Sequence, residues 1–196
     1  MKVFDISFWQ PYNTVYKLKD LGAEGVILRM GVTYGGVPEL DEKYTSFVNE
    51  AKSVGIPHGL YYYSKMNGQY KAREEAQFIN DRVYDILDGV EPTLGVWFDI
   101  EDEVNKYWGI HDDVCYAIDT MKSWGFKKVG IYSGYCFFHD YFNLRDLQQR
   151  QVPIWVAQYD CQNDLAEEYP ELNLQGWQFT DKYNDQYDCS EWYKKG

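Results

Sequence analysis

Asp99 and Glu101 close the apolar run Gly95-Val96-Trp97-Phe98-Asp99-Ile100-Glu101. Read as a strand, the run sends residues two apart to the same face, with Cα atoms roughly 6.5–7 Å apart. Two carboxyl groups pushed from one strand end into a shared site do not ionise independently. One stays protonated while the other carries charge. Cleavage of a glycosidic bond needs such a pair, a proton donor for the leaving oxygen and a group that stabilises positive charge on the sugar. Two further acids interrupt β-rich runs, Asp5 in Val3-Phe4-Asp5-Ile6-Ser7 and Asp188 in a weak run near Tyr187–Cys189. An acid inside an apolar strand is costly unless it is paired or functional.

The elements that must position these acids follow from the spacing. Strands are expected at Lys2–Ile6, Gly25–Met30, Gly59–Tyr63, Leu94–Glu101, Lys128–Tyr132, Ile154–Tyr159 and Leu174–Phe179, with the weak run last. Helical patterns cover Tyr12–Leu21, Asp41–Val54, Gln69–Leu87 and Asp112–Trp124, with Asp41 and Asp112 as N-caps. Each is followed by a glycine, Gly22, Gly55, Gly89 and Gly125, the expected left-handed terminator. After Lys128 the intervals shorten and little helix fits. The pattern therefore predicts five βα units followed by about three strands joined mainly by loops. Eight mostly parallel strands suggest a closed or nearly closed barrel, whose site lies at the C-terminal strand ends. Asp5, Asp99 and Glu101 end their strands, and Asp188 falls in the last short one, so the four acids are expected to converge on one mouth.

The chain has 196 residues, 45% hydrophobic and 26% charged, which suits one compact globular domain. Its 19 Tyr, 10 Phe and 7 Trp are an unusual number; many can be core, but Tyr and Trp also stack on the apolar faces of sugar rings. The net charge of −12, without a basic cluster, argues against nucleic acid as a partner. Cys115, Cys136, Cys161 and Cys189 are widely spaced and read as isolated thiols. His58, His111 and His139 lack metal-ligand spacing, so neither metal nor cofactor is expected. No segment reaches transmembrane length and no signal peptide precedes the first strand, so membrane insertion is not expected.

These residues, taken in order, resemble glycoside hydrolase family 25, the muramidases (lysozymes) of bacteria and phage endolysins. Phe4-Asp5-Ile6-Ser7-Phe8-Trp9-Gln10 resembles the family's D-x-S-x-x-Q opening, and Val26-Ile27-Leu28-Arg29 its second strand. Gly59-Leu60-Tyr61-Tyr62-Tyr63 resembles the G-x-Y segment, Phe98-Asp99-Ile100-Glu101 the D-x-E strand, and Ile131-Tyr132-Ser133 the fifth strand. Trp155-Val156-Ala157-Gln158-Tyr159 matches W-x-A-x-Y, Trp177-Gln178-Phe179-Thr180 matches W-Q-x-T, and Asp188 matches the closing Asp. The resemblance spans nearly the whole chain. It implies a flattened TIM-like (β/α)5(β)3 barrel of class α/β, with residues 1–196 forming a single catalytic domain without a wall-binding module.

It further implies hydrolysis, with retention, of the β-1,4 bond between N-acetylmuramic acid and N-acetylglucosamine in peptidoglycan glycan strands. Glu101 would be the general acid/base. Asp99 would be the nucleophile or the group that orients the substrate's N-acetyl oxygen, and the D-x-E arrangement suits the second role. Asp5 and Asp188 would flank the pair. Arg29, Tyr61, Tyr63, Tyr132, Trp155, Tyr159, Trp177 and Gln178 would shape the groove, Arg29 by contacting a muramyl or peptide carboxylate. Tyr62 and Cys189-Ser190 depart from the family's usual His and Asn. A monomer is expected, made in the host cytoplasm and released to the wall by a holin-like partner; a domain excised from a secreted parent would look the same.

Three other readings compete. A chitinase-like barrel needs another acid where Trp97 stands. A metal-dependent hydrolase could use the four acids as oxygen ligands. A glycan-binding module with a dead site is opposed by the presence of all four acids.

Overall fold

The computed structural model describes residues 1–159 and 161–193. Nine strands form one sheet in the order β1-β9-β8-β7-β6-β5-β4-β2-β3, and an additional β1–β2 pairing closes it. They are β1 Lys2–Ile6, β2 Gly25–Tyr34, β3 Val37–Leu40, β4 His58–Tyr63, β5 Val96–Asp99, β6 Val129–Gly134, β7 Ile154–Ala157, β8 Leu174–Tyr183 and β9 Tyr187–Trp192. β3 hangs outside the closed ring, paired only to the extension of β2. The remaining eight strands make the barrel. Six of its pairings are parallel, and β9 runs antiparallel to both β8 and β1. The α/β barrel inferred from spacing is the observed fold.

Helices α1 Thr14–Asp20, α2 Tyr44–Val54, α3 Gln69–Leu87, α4 Ile110–Ser123, α5 Tyr135–Tyr141, α6 Leu144–Gln149 and α7 Asp164–Glu168 surround it. The period-2 alternation of each strand divides the apolar residues into two cores. Phe4, Leu28, Leu60, Phe98, Ile131 and Val156 face the helices. Val3, Ile27, Trp97, Trp155 and Trp192 point inward and plug the bottom of the barrel. The three indoles meet edge to face, with centroids 5.3–6.1 Å apart. Gly130 and Gly176 admit them, since a Cβ at either would run into Trp97 or Trp192.

Several expectations needed correction. β2 runs to Tyr34 and turns back as β3 through Gly35 and Gly36, whose φ angles are 57° and 83°. A Gly-Gly pair supplies the positive φ values that a two-residue hairpin requires. Three short helices, α5 to α7, occupy the region expected to hold loops. Asp112 lies inside the first turn of α4, behind a cap at Gly109. Asp41 stands ahead of α2, where its Oδ1 accepts the Lys43 amide at 2.9 Å. β5 stops at Asp99, so Glu101 lies just beyond the strand rather than in it. Gly22, Gly55, Gly89 and Gly125 all have positive φ, as helix-terminating glycines should.

Candidate active site

Inward-facing residues that are apolar at the barrel bottom become polar at its C-terminal mouth. They line a cavity of about 280 Å³ that contains Asp5, Asp99, Glu101 and Asp188 together. Strand register explains the convergence. Asp5 and Asp188 are directly opposed across the antiparallel β1–β9 pair. Asp99 is level with Tyr63 on one side and Tyr132 on the other. Of the other residues expected to shape the groove, Arg29, Tyr61, Trp155, Tyr159 and Gln178 also stand in the cavity wall.

Trp177 does not belong to this set. It neighbours Gln178 on β8 and therefore faces the other way, packing against the helix-side core, with its Nε1 donating to the Gln158 carbonyl at 2.8 Å. Tyr61 and Trp155 also serve the inner core while edging the cavity. Ser7, Trp9 and Gln10, which the opening motif included but which were not expected in the groove, line the same mouth from the loop after β1. Their signal was position, immediately downstream of a strand-terminal acid.

The acids differ in environment. Asp99 is only 4% exposed, and burial, then Glu101 and Asp5, push its carboxyl well above the ordinary range, opposed by Arg29. Its Oδ1 is buried without a hydrogen-bond partner. Asp5 is also raised well above its usual value, by burial and then by Asp188. Its Oδ2 accepts from Gln178 Nε2 at 2.9 Å. Gln178 is held in turn by Tyr132 and Tyr159, whose hydroxyls both donate to its Oε1 at 2.9 Å. Those two donors orient the amide so that its NH2 faces Asp5. Asp188 is raised to about 6 by burial and then by Asp181.

Glu101 opens to solvent at the rim; partial desolvation, then the charge of Asp102, raise it. Asp102, which sequence reasoning also missed, accepts from Tyr63 Oη at 3.2 Å and pairs with Lys65 at 3.2 Å. Arg29 lines the cavity with its Nε tied to Asp41 Oδ2 at 2.9 Å and its guanidinium 4.5 Å from the Phe8 ring centre. Desolvation and like charges that push acids upward inside one cleft are the conditions for proton transfer near neutral pH.

Among the described residues one group has ligand-like spacing for a metal, His111, Cys115 and Asp146, whose donor atoms lie within 4.8 Å of one another. It sits on α4 and α6, outside the mouth. His111 Nδ1 accepts the Asn143 amide at 3.4 Å, so the ring proton sits on Nε2, 3.1 Å from Asp146. That is a His–carboxylate pair and not a lone pair aimed at a cation. Cys115, Cys136 and Cys189 are free thiols. Among the described residues no helix is long and apolar enough to cross a membrane.

A closed α/β barrel with a carboxyl pair at the C-terminal end of one strand has the makings of a glycosidase. The family model described as glycosyl hydrolases family 25 matches residues 4–187, and the chain belongs to that family. No curated protein matches it in sequence. The catalytic domain of endolysin ply40 from bacteriophage P40 of Listeria monocytogenes is similar in structure, with 25% identity and a TM-score of 0.75 over 98% of this chain and 93% of that one. The modular autolysin LytC from Streptococcus pneumoniae shares the fold at 23% identity and a TM-score of 0.78, covering 98% of this chain and 46% of that one. This chain thus spans about half the length of that relative.

Proposed function

We propose that this chain is a muramidase acting on bacterial cell wall. It would cleave the β-1,4 bond between N-acetylmuramic acid and N-acetylglucosamine with retention, and the substrate's own acetamido group would serve as nucleophile. The observation that carries the mechanism is the buried, unpartnered Oδ1 of Asp99 beside the rim acid Glu101. A buried acceptor without a donor is costly, and a ligand donor relieves that cost. The acetamido N–H of a seated sugar supplies one. Family membership and the likeness to an endolysin catalytic domain support the substrate class.

The steps follow from these environments. Glu101, raised by its surroundings, gives its proton to the glycosidic oxygen as the C1–O bond breaks. The acetamido oxygen bonds to C1 from the opposite face and forms an oxazolinium ion. Asp99 accepts the N–H and, as its carboxylate, balances the positive charge. Glu101, now ionised, takes a proton from water as it attacks C1 and reopens the ring. Two inversions give net retention. Asp99 suits this role because its buried Oδ1 has no donor in the protein, and the acetamido N–H of the substrate supplies one.

Glycan strands whose muramic units are N-deacetylated test the reading. The assisted route predicts that bonds following N-acetylated units are cut and those following deacetylated units are spared. Equal cleavage of both, or a glycosyl–Asp99 adduct detected by mass spectrometry, would overturn it.

A further inference from the structure

The loop from Ser7 to Tyr12, between β1 and α1, carries more anchors than a connection of its length requires. The Ser7 amide donates to Gln10 Oε1 at 2.8 Å, and the Gln10 amide returns to the Ser7 carbonyl at 3.0 Å. The Phe8 amide donates to Asp41 Oδ2 at 3.0 Å. Lys43 Nζ donates to the carbonyls of Phe8 and Gln10, at 2.6 and 2.9 Å. The Phe8 ring lies between two partners, the Arg29 guanidinium at 4.5 Å and the Trp9 indole at 4.3 Å. All of this fixes a loop whose tip, Trp9, is 76% exposed while lining the cavity mouth.

A large apolar ring held rigidly in water at a cleft rim contributes little to folding, since most of its surface is never removed from solvent. It is preorganised for a flat apolar partner, and a rigid aromatic loses little entropy on binding one. The floor acids are nearly closed off, Asp5 at 7% and Asp99 at 4% exposure. A sugar seated on that floor therefore lies deeper than the indole. Tyr159, 55% exposed, rises from the β7 side of the same cavity.

We infer that Trp9 is the stacking platform of an additional subsite, binding the C–H face of a hexosamine beyond the unit seated on the acids. This rests on the muramidase reading and names how far along the strand recognition extends. A strand held at two depths would be gripped more strongly as it lengthens, whereas a floor site alone would be saturated by a short oligomer.

The test measures binding of peptide-free N-acetylglucosamine–N-acetylmuramic acid tetra- and hexasaccharides to the Glu101→Gln protein, by tryptophan fluorescence and calorimetry. The hexasaccharide is expected to bind about tenfold more tightly than the tetrasaccharide. Adding Trp9→Ala should abolish that gain, and Trp9→Phe should restore part of it. Trp9 is surface-exposed, so the melting temperature should be kept in both variants. A length gain that survives Trp9→Ala would overturn the subsite and leave the muramidase reading standing. Failure of the Glu101→Gln parent to bind either oligosaccharide would overturn both.

Discussion

Replacing Asp188 with Asn should make the protein more stable at neutral pH. The folded chain holds the Asp188 carboxyl at about 6, against an ordinary value of 3.8, through burial and the nearby Asp181. Between those values the native state keeps a proton that the unfolded chain has lost. Stability therefore falls as pH rises through this window, and above about 6 the full cost is present. A gap of roughly two pH units corresponds to about 3 kcal/mol. Asp188 retains some contact with solvent, and screening reduces this to about 1–2 kcal/mol. For a chain of 196 residues that is about 2–8 °C in melting temperature. Thermal melts of both proteins from pH 3 to 8 check it. The curves should coincide near pH 3 and separate by pH 7, with the Asp188→Asn protein melting higher and its activity reduced, the expected cost of stabilising a strained site. A constant separation across the range, or a less stable variant at pH 7, would refute the reasoning.

Two further substitutions probe the site's supports. Gln178→Leu leaves Asp5 without its amide donor and the Tyr132 and Tyr159 hydroxyls without their acceptor; a urea midpoint lowered by about 2–4 kcal/mol equivalent is expected, and an unchanged midpoint would contradict the hub role. Asp102→Asn removes a negative charge that raises Glu101, while its side-chain oxygen can still accept the Val104 amide. Glu101 must be protonated to act as acid, so the alkaline limb of the activity profile should move to lower pH, and a limb that stays put or rises would count against that coupling.

The barrel was legible because apolar runs, helix-terminating glycines and interval lengths all agreed. The left-handed φ of Gly22, Gly55, Gly89 and Gly125 is the physical basis of that signal. The hairpin was missed although Gly35-Gly36 announces it, because Pro38 and Glu39 weaken the strand pattern of β3. Helices α5 to α7 are short and bounded by tight turns, so their 3.6-residue period barely repeats. β9 turns back from β8 through Asn184 and Asp185, both with positive φ, but its pairing with β1, which closes the barrel and sets Asp188 against Asp5, is long-range and carries no local sequence mark.

The acids stood out because charge in an apolar strand needs a reason. The groove side chains were harder to read. Trp177 and Gln178 are adjacent in one strand and cannot both face the cavity, a constraint that alternation alone supplies. The grip of Gln178 on Asp5 joins residues 173 positions apart and emerges only in three dimensions.

The central claim is that Glu101 drives cleavage after muramic acid. Purified protein and its Glu101→Gln variant should be incubated with bacterial peptidoglycan, the new ends reduced with borohydride and identified by mass spectrometry. The account predicts reduced muramic acid ends from the parent, slowed by about 10²–10⁴-fold in the variant. Reduced glucosamine ends, or muramic ends released equally by both proteins, would contradict it.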